Sequence, residues 1–493
     1  TQTNNQVRTI QGDIIINNNL TITLGTFDFG NTVARSVTVA ENLSGAGSIN
    51  MSGAGLAHSL TLNGVNNSIG TFTTTNGSGS TVNYSRTGDQ NIFISTNYQN
   101  LNTGGVGVKT LGAGTITANG NVDVTSGTTL AYNGGAARIL NISGNLSGDG
   151  EIDMSSGNQT HTLNLSGSLN YIGTLTTAPG IASLVNYNRN GDQQVFASDF
   201  YRNIAFSTGG IKTLQGDLIV GGTSTITAST LNFGVSDRVM TVNGNFTLTS
   251  GGLDMGGSAA HQLYLHGATN TYTAGVVTPG AGNQLVAYDG DAAQTIMGIP
   301  YRNLLISNFN AASLINRTKT AGGAISVSGD LSIDGISTSV TTMQVTTNSL
   351  TVTGATNVND YGILNDNNNA GTNTFIGLVS LNGTGSFNTT SVTTSANEIF
   401  RNGITLNGSG TFTAGGATFN TNVQNISINS TGNLSFATAN NVLINENTTI
   451  LGAGTGTSAF GILTIADTKT FTNQRTLAIN GVLNGGGASA TFI

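Results

Sequence analysis

The sequence predicts an all-β fold: a single-stranded parallel β-helix (β-solenoid) of about 20–24 coils, each about 20–25 residues long. Three observations carry this. Short runs of alternating apolar and polar residues occur throughout the chain. A module of some hundred residues returns three times. Inside it lies a shorter strand–turn unit that also recurs.

The alternation is plain in Ser36-Val37-Thr38-Val39, Leu60-Thr61-Leu62, Leu163-Asn164-Leu165 and Leu263-Tyr264-Leu265. Period two puts one face of each strand in a core and the other outside. Gly, Asn and Ser punctuate these runs. No stretch of ten or more residues carries the three-and-four apolar spacing of a helix.

The long module is clearest from Val82 to Leu111. It reads Val82-Asn83-Tyr84-Ser85-Arg86-Thr87-Gly88-Asp89-Gln90, then Tyr98-Gln99-Asn100-Leu101 and Lys109-Thr110-Leu111. It returns as Val185-Asn186-Tyr187, Gly191-Asp192-Gln193, Tyr201-Arg202-Asn203-Ile204 and Lys212-Thr213-Leu214. A looser copy has Val286, Tyr288, Gly290-Asp291, Tyr301-Arg302-Asn303-Leu304 and Lys319-Thr320. Tyr98, Tyr201 and Tyr301 stand 103 and then 100 residues apart. Phe29, Tyr132 and Phe233 recur in the same way, as do Met51, Met154 and Met255, and His58, His161 and His261. Asn76-Gly77, Pro179-Gly180 and Pro279-Gly280 share one turn position, where positive φ is wanted.

The short unit is Leu43 to Ile49, matched by Leu146–Ile152, Leu381–Phe387 and Leu406–Phe412. Phe387, Phe412 and Phe436 follow at spacings of 25 and 24. A unit this short cannot bury its own apolar face, and stacking copies solves that. Stacked positions should then form ladders, aromatic over aromatic and Asn over Asn. Residues 1–317 hold three long repeats, and residues 318–493 continue the solenoid with coils of 24–25 residues. At a strand spacing of about 4.8 Å, the coils would make a rod roughly 95–115 Å long.

Composition excludes several classes. Charged residues are 8 % of the 493, against roughly 25 % in ordinary soluble domains. No apolar run approaches the roughly 18 residues of a membrane helix, so no membrane span is expected. A net charge of −7 with only 15 Lys and Arg offers no basic stripe for nucleic acid. Without Cys there are no disulfides or thiolate metal sites. No signal peptide is visible, and a start at Thr1 suggests a processed or trimmed chain.

The Val-x-Tyr, Gly-Asp, Gln, Tyr-x-Asn-Leu and Lys-Thr-Leu pattern resembles repeats of large secreted surface proteins of Bacteroidetes. The resemblance covers about residues 80–330. It implies the β-solenoid stalk of an adhesin or gliding-type filament, exported by the type IX route. The chain departs from that family in having no recognisable C-terminal sorting domain.

Candidate chemistry is sparse. His58, His161 and His261 share one repeat position and should lie four or five rungs apart, too far to share a metal ion. Structural or surface roles are expected for them, and His266 carries no pattern. Asp89, Asp192 and Asp291 read as turn residues. Asp149, Glu151 and Asp153 have the i, i+2, i+4 spacing that puts carboxylates on one strand face, as in polysaccharide-cleaving β-helices. The first repeat has Ala46, Ser48 and Asn50 there, and a solvated acidic face is the plainer reading. Asp366, Asn368 and Gly371 half-match a calcium loop, but Gly377 stands where a bidentate Glu is required. The recurrent aromatics read as a core ladder rather than a glycan platform. Lys109 and Lys212 are expected to cap a turn or face solvent. Gly485-Gly486-Gly487 lacks the Lys of a phosphate loop.

The expectation is an extracellular, cell-surface structural or adhesive solenoid with no catalytic, cofactor or metal site. Surface glycans or other cells are the expected external partners. The apolar ending Ala490-Thr491-Phe492-Ile493 suggests head-to-tail self-association into filaments. The rival readings are a polysaccharide-cleaving enzyme using Asp149, Glu151 and Asp153, and a trimeric phage tail fibre.

Overall fold

The computed structural model describes residues 1–53, 55–178, 182–308, 315–336, 338–366, 372–389 and 397–493. Among these there is no helix. The chain is a β-solenoid of about 21 coils, and its described strand ladders are parallel throughout. It divides into two compact units, Thr1–Gly234 with Leu248–Leu253, and Val235–Thr247 with Asp254–Ile493. Within the second, the ladder Gln294–Ile296, Arg317–Ala321 and Thr341–Val345 runs through residue 317.

In the first unit each full coil contributes strands to three parallel sheets. One sheet stacks Ile14–Ile16, Ser36–Val39, Ser59–Leu62, Thr81–Tyr84, Asn100–Thr103, Val122–Val124 and Leu146–Ser147. A second stacks Gln90–Ile92, Gly107–Leu111, Thr128–Ala131, Glu151–Asp153 and Thr174–Thr176. A third takes Thr115–Ala118, Ile139–Ile142, Thr162–Leu165, Leu184–Tyr187, Asn203–Phe206 and Ser224–Ile226. The alternation works as expected: in Ser59–Leu62, Leu60 and Leu62 are fully buried while Ser59 and Thr61 are part-exposed.

The register places the first two module copies on different sheets. The first copy of the module lies in the first sheet, in Ser59–Leu62, Thr81–Tyr84 and Asn100–Thr103. The second lies in the third sheet, in Thr162–Leu165, Leu184–Tyr187 and Asn203–Phe206. A repeat of 103 residues is four coils plus two of the three sheets of a fifth, because Tyr171 N–H bonds Leu146 C=O before the chain crosses Thr174–Thr176 to reach Leu184. Equivalent residues of these two copies therefore occupy different sides of the solenoid, not one axial column.

Coil length also varies more than the short repeat implies. Register gives 18 residues from Leu285 to Asn303, 19 from Thr81 to Asn100, and 27 from Leu304 to Leu331. Strands stay in register while corners absorb the difference. The tightest corners need glycine. Gly107 has φ +107°, and a Cβ there would sit 2.7 Å from the carbonyl carbon of Gly88 on the preceding coil.

The second unit also stacks three parallel sheets. One runs from Val239–Val242 to Thr491–Phe492, the second from Gln294–Ile296 to Ala478–Ile479, and the third from Pro300–Tyr301 to Leu483–Gly485. Its core holds the expected aromatic ladder. Phe387 and Phe412 stack with centroids 4.5 Å apart, and Phe375 and Phe400 at 5.4 Å. Outside runs the expected amide ladder: Asn382 donates to Asn359, Asn407 to Asn382 and Asn429 to Asn407, at 2.9, 3.0 and 3.0 Å. Phe387→Ala empties a space shared with both neighbouring rungs. A loss of about 3–5 kcal/mol of unfolding free energy is expected in chemical denaturation, with earlier hydrogen exchange in the adjoining strands.

Candidate functional site

The recurrent polar residues turn inward and build one corner device, three times over. Tyr84 and Tyr98 are buried with their hydroxyls 2.8 Å apart. The Phe93 N–H donates to the Tyr84 hydroxyl at 3.2 Å, and the Tyr98 hydroxyl donates to the Phe93 carbonyl at 2.7 Å. Tyr84 must then donate to Tyr98, which closes a ring that satisfies both backbone groups of Phe93. Tyr187 and Tyr201 pair at 2.6 Å, with Tyr201 donating to the Phe196 carbonyl. Tyr288 and Tyr301 pair at 2.9 Å around Met297. Burial raises all six phenols and keeps them protonated. They are core groups, unavailable for stacking on a glycan.

The glutamine closes the same corner from beneath. Gln90 Nε2 donates to Leu62 and Gly64 carbonyls of the preceding coil at 2.7 and 2.9 Å, and its Oε1 accepts the Arg86 N–H. Gln193 and Gln294 repeat this with Leu165 and Leu265. Directly above each stands the lysine, Gln90 against Lys109, Gln193 against Lys212 and Gln294 against Lys319.

The lysines cap turns, but from inside, and none faces solvent. All three are 0 % exposed. Lys109 Nζ donates to Arg86 and Gly88 carbonyls at 2.6 and 2.7 Å. Lys212 donates to Arg189 and Gly191 at 2.6 and 3.0 Å. Burial lowers each ammonium, to about 8 for Lys212 and Lys319. The aspartates serve the same turns: Asp89 accepts the Val108 N–H and Asp192 the Ile211 N–H, while Asp291 instead pairs with Arg317 at 2.8 Å.

The repeated histidines are structural. His58 and His161 are buried, and each accepts a backbone N–H through Nδ1, from Arg35 at 3.0 Å and Arg138 at 3.2 Å. Burial lowers both, favouring the neutral ring that such acceptance requires. His261 is equally buried.

Glu151 and Asp153 do share an outward face around buried Ile152, as their spacing predicts. Each carboxylate of the trio is nevertheless engaged locally. Glu151 accepts Thr129 Oγ1 at 2.9 Å from one rung and Thr176 Oγ1 at 2.6 Å from another. Asp149 accepts the Tyr171 hydroxyl, and Asp153 the Ser155 N–H. Glu151 and Asp149 thus brace rung to rung, while Asp153 holds its own turn. Among the described residues no group of three His, Asp or Glu is arranged to hold a metal ion, and no helix is long and apolar enough to cross a membrane.

Two clusters in the second unit escaped the sequence reading. The calcium-loop reading falls partly outside the described residues, which exclude Asn368 and Gly371. Asp366 itself points inward and is 1 % exposed. Asn373 Nδ2 bridges it to buried Glu398, at 2.5 and 3.3 Å. Burial, then the Asp366 charge, push Glu398 well above the carboxylate range. No pattern flagged this pair, because Asp366 and Glu398 are 32 residues apart in sequence. The other cluster is axial: His266 Nδ1 lies 2.8 Å from Asn243 Oδ1, and its Nε2 is 3.1 Å from buried Asp289. His266 stands where the other copies have Asn63 and Ser166, and Asp289 where they have Ser85 and Asn188. That departure from the repeat was the available signal. Along the column the order is amide, imidazole, carboxylate.

Compared with models of known protein families, with characterised proteins and with solved structures, the chain matches none.

Two outcomes follow from these environments. Amine-reactive labelling of folded protein should modify Lys469, which is part-exposed beside Glu446, and spare Lys109 and Lys212 until unfolding; peptide mass mapping reads this. Glu398 binds its proton more tightly folded than unfolded, so stability should fall as pH rises from the ordinary value of 4.5 towards the raised one. Glu398→Gln removes that dependence and should gain about 1–2 kcal/mol at pH 7 in chemical denaturation.

Proposed function

We propose that this chain is a non-catalytic structural solenoid, a stalk segment of an extracellular surface protein whose work is length and stiffness. The observation that carries this is how the recurrent polar residues are used. The buried Gln, Lys and Tyr of every module bond backbone groups of their own or adjoining coils, and the strand-face carboxylates hold hydroxyls of neighbouring rungs. Repetition here multiplies a corner brace. In a solenoid each added coil adds a neighbour interface, so stability grows with length. The resemblance of the Val82–Leu111 module to surface-protein repeats supports the extracellular placement and an adhesive setting.

The enzyme alternative turns on Asp149, Glu151 and Asp153. Incubation with a panel of neutral and acidic polysaccharides should release no reducing ends or unsaturated products, and Glu151→Gln should lower stability by about 1 kcal/mol through its two threonine contacts. Release of glycan products that Glu151→Gln abolishes, with the fold intact, would overturn the structural reading.

A further inference from the structure

The third module differs from the first two at its lysine. In the first two, each Nζ is bonded to main-chain carbonyls of the turn below. In the third, Lys319 Nζ keeps such contacts, with the Gly290 and Ala292 carbonyls, and in addition lies 2.6 Å from Oε1 of Gln294, the residue directly beneath it in register. The same Oε1 accepts the Gly290 N–H at 3.0 Å. Gln294 Nε2 is held by the Leu265 and Gly267 carbonyls at 2.7 and 2.9 Å. The carboxamide is thus fixed at both ends, with an amine against it and an N–H donor on its oxygen. A C=O bond is about 1.2 Å long, so Cδ lies just beyond the contacted atom.

The third module also carries a buried carboxylate that the others lack. Asp289, 5 % exposed, replaces Ser85 and Asn188, and its charge favours the Lys319 ammonium against the burial that lowers it. His266, whose Nε2 lies 3.1 Å from Asp289, is part-exposed and replaces Asn63 and Ser166. Buried amine, clamped carboxamide, backbone N–H and buried carboxylate are the parts that intramolecular amide exchange needs.

We propose that Lys319 and Gln294 are joined by an isopeptide bond, formed within the third module and in neither of the others. Asp289 accepts a proton from the Lys319 ammonium, and the freed Nζ lone pair adds to Gln294 Cδ. The Gly290 N–H steadies the oxygen as negative charge develops there. The Cδ–Nε2 bond then breaks, Nε2 takes up protons delivered from Nζ by way of Asp289, and nitrogen leaves as ammonium. Carboxamide plus alkylammonium become a secondary amide plus ammonium, with no oxidant or cofactor. The product removes a buried positive charge and pins two successive coils covalently. This assignment stands apart from the stalk reading and does not depend on it.

The test is the intact mass of the full, unfolded chain. After incubation of the folded protein for several days at mildly alkaline pH, a mass about 17 Da below that of the sequence is expected, the loss of one ammonia. Digestion should give one branched peptide joining Gln294 to Lys319. Lys319→Arg should restore the full mass. Asp289→Asn should restore it too while leaving the circular dichroism unchanged, and Asp289→Glu should recover cross-linking. A full-sequence mass in the unaltered protein overturns the proposal. A branch at Gln90–Lys109 or Gln193–Lys212 overturns its restriction to the third module, and wild-type cross-linking in Asp289→Asn overturns the role of Asp289.

Discussion

Everything in this molecule depends on how a coil turns a corner. Parallel strands satisfy their own backbone groups along the sheet, but at each corner N–H and C=O groups leave the ladder and would be buried unpaired, at about 1–3 kcal/mol each. The protein meets this with side chains from the same or an adjacent coil. Glutamine amides reach down to two carbonyls. Asn67 does likewise, accepting the Leu43 N–H and donating to the Gly64 carbonyl, and Asn170 and Asn270 repeat it. Tyrosine pairs close coils of 19, 19 and 18 residues.

That constraint explains the composition. A conventional core needs few polar residues, whereas here buried Gln, Asn, Lys and Tyr recur with the corners they serve. Stacking also makes ionised side chains costly, since like charges on successive rungs would repel at strand spacing. Neutral amides and hydroxyls bond in rows instead, as the Asn359 to Asn429 column does. The scarcity of charge thus belongs to the architecture, with carboxylates admitted where a hydroxyl, an amide or a cation from a neighbouring rung receives them.

The departures from the pattern locate the chemistry. Where the first two modules have Ser85 and Asn188, the third has Asp289; where they have Asn63 and Ser166, it has His266. Each change alone is unremarkable in sequence. Together they pair a buried carboxylate with a part-exposed imidazole in the module whose lysine contacts an amide. The Asp366, Asn373 and Glu398 cluster is a second departure: its asparagine keeps the corner contact to the Leu350 N–H, but its amide nitrogen faces two carboxylates.

The sequence by itself determined the all-β class, the average coil length, the in-register ladders and the inward face of each strand, because these follow from period-two alternation and from repeat spacing. It also marked the residues of the corner module, though not their direction. Lys109 and Lys212 could have faced water; only the fold shows carbonyls of the coil below converging on each ammonium. The sides of the solenoid on which the first two module copies lie were likewise hidden, since a 103-residue period fixes spacing along the chain but not the fraction of a coil left over. Tertiary structure decided that, and it decided which distant residues meet. His266 meets Asp289, and Asn373 links Glu398 to Asp366, through the stacking of coils, an interaction that sequence proximity does not encode.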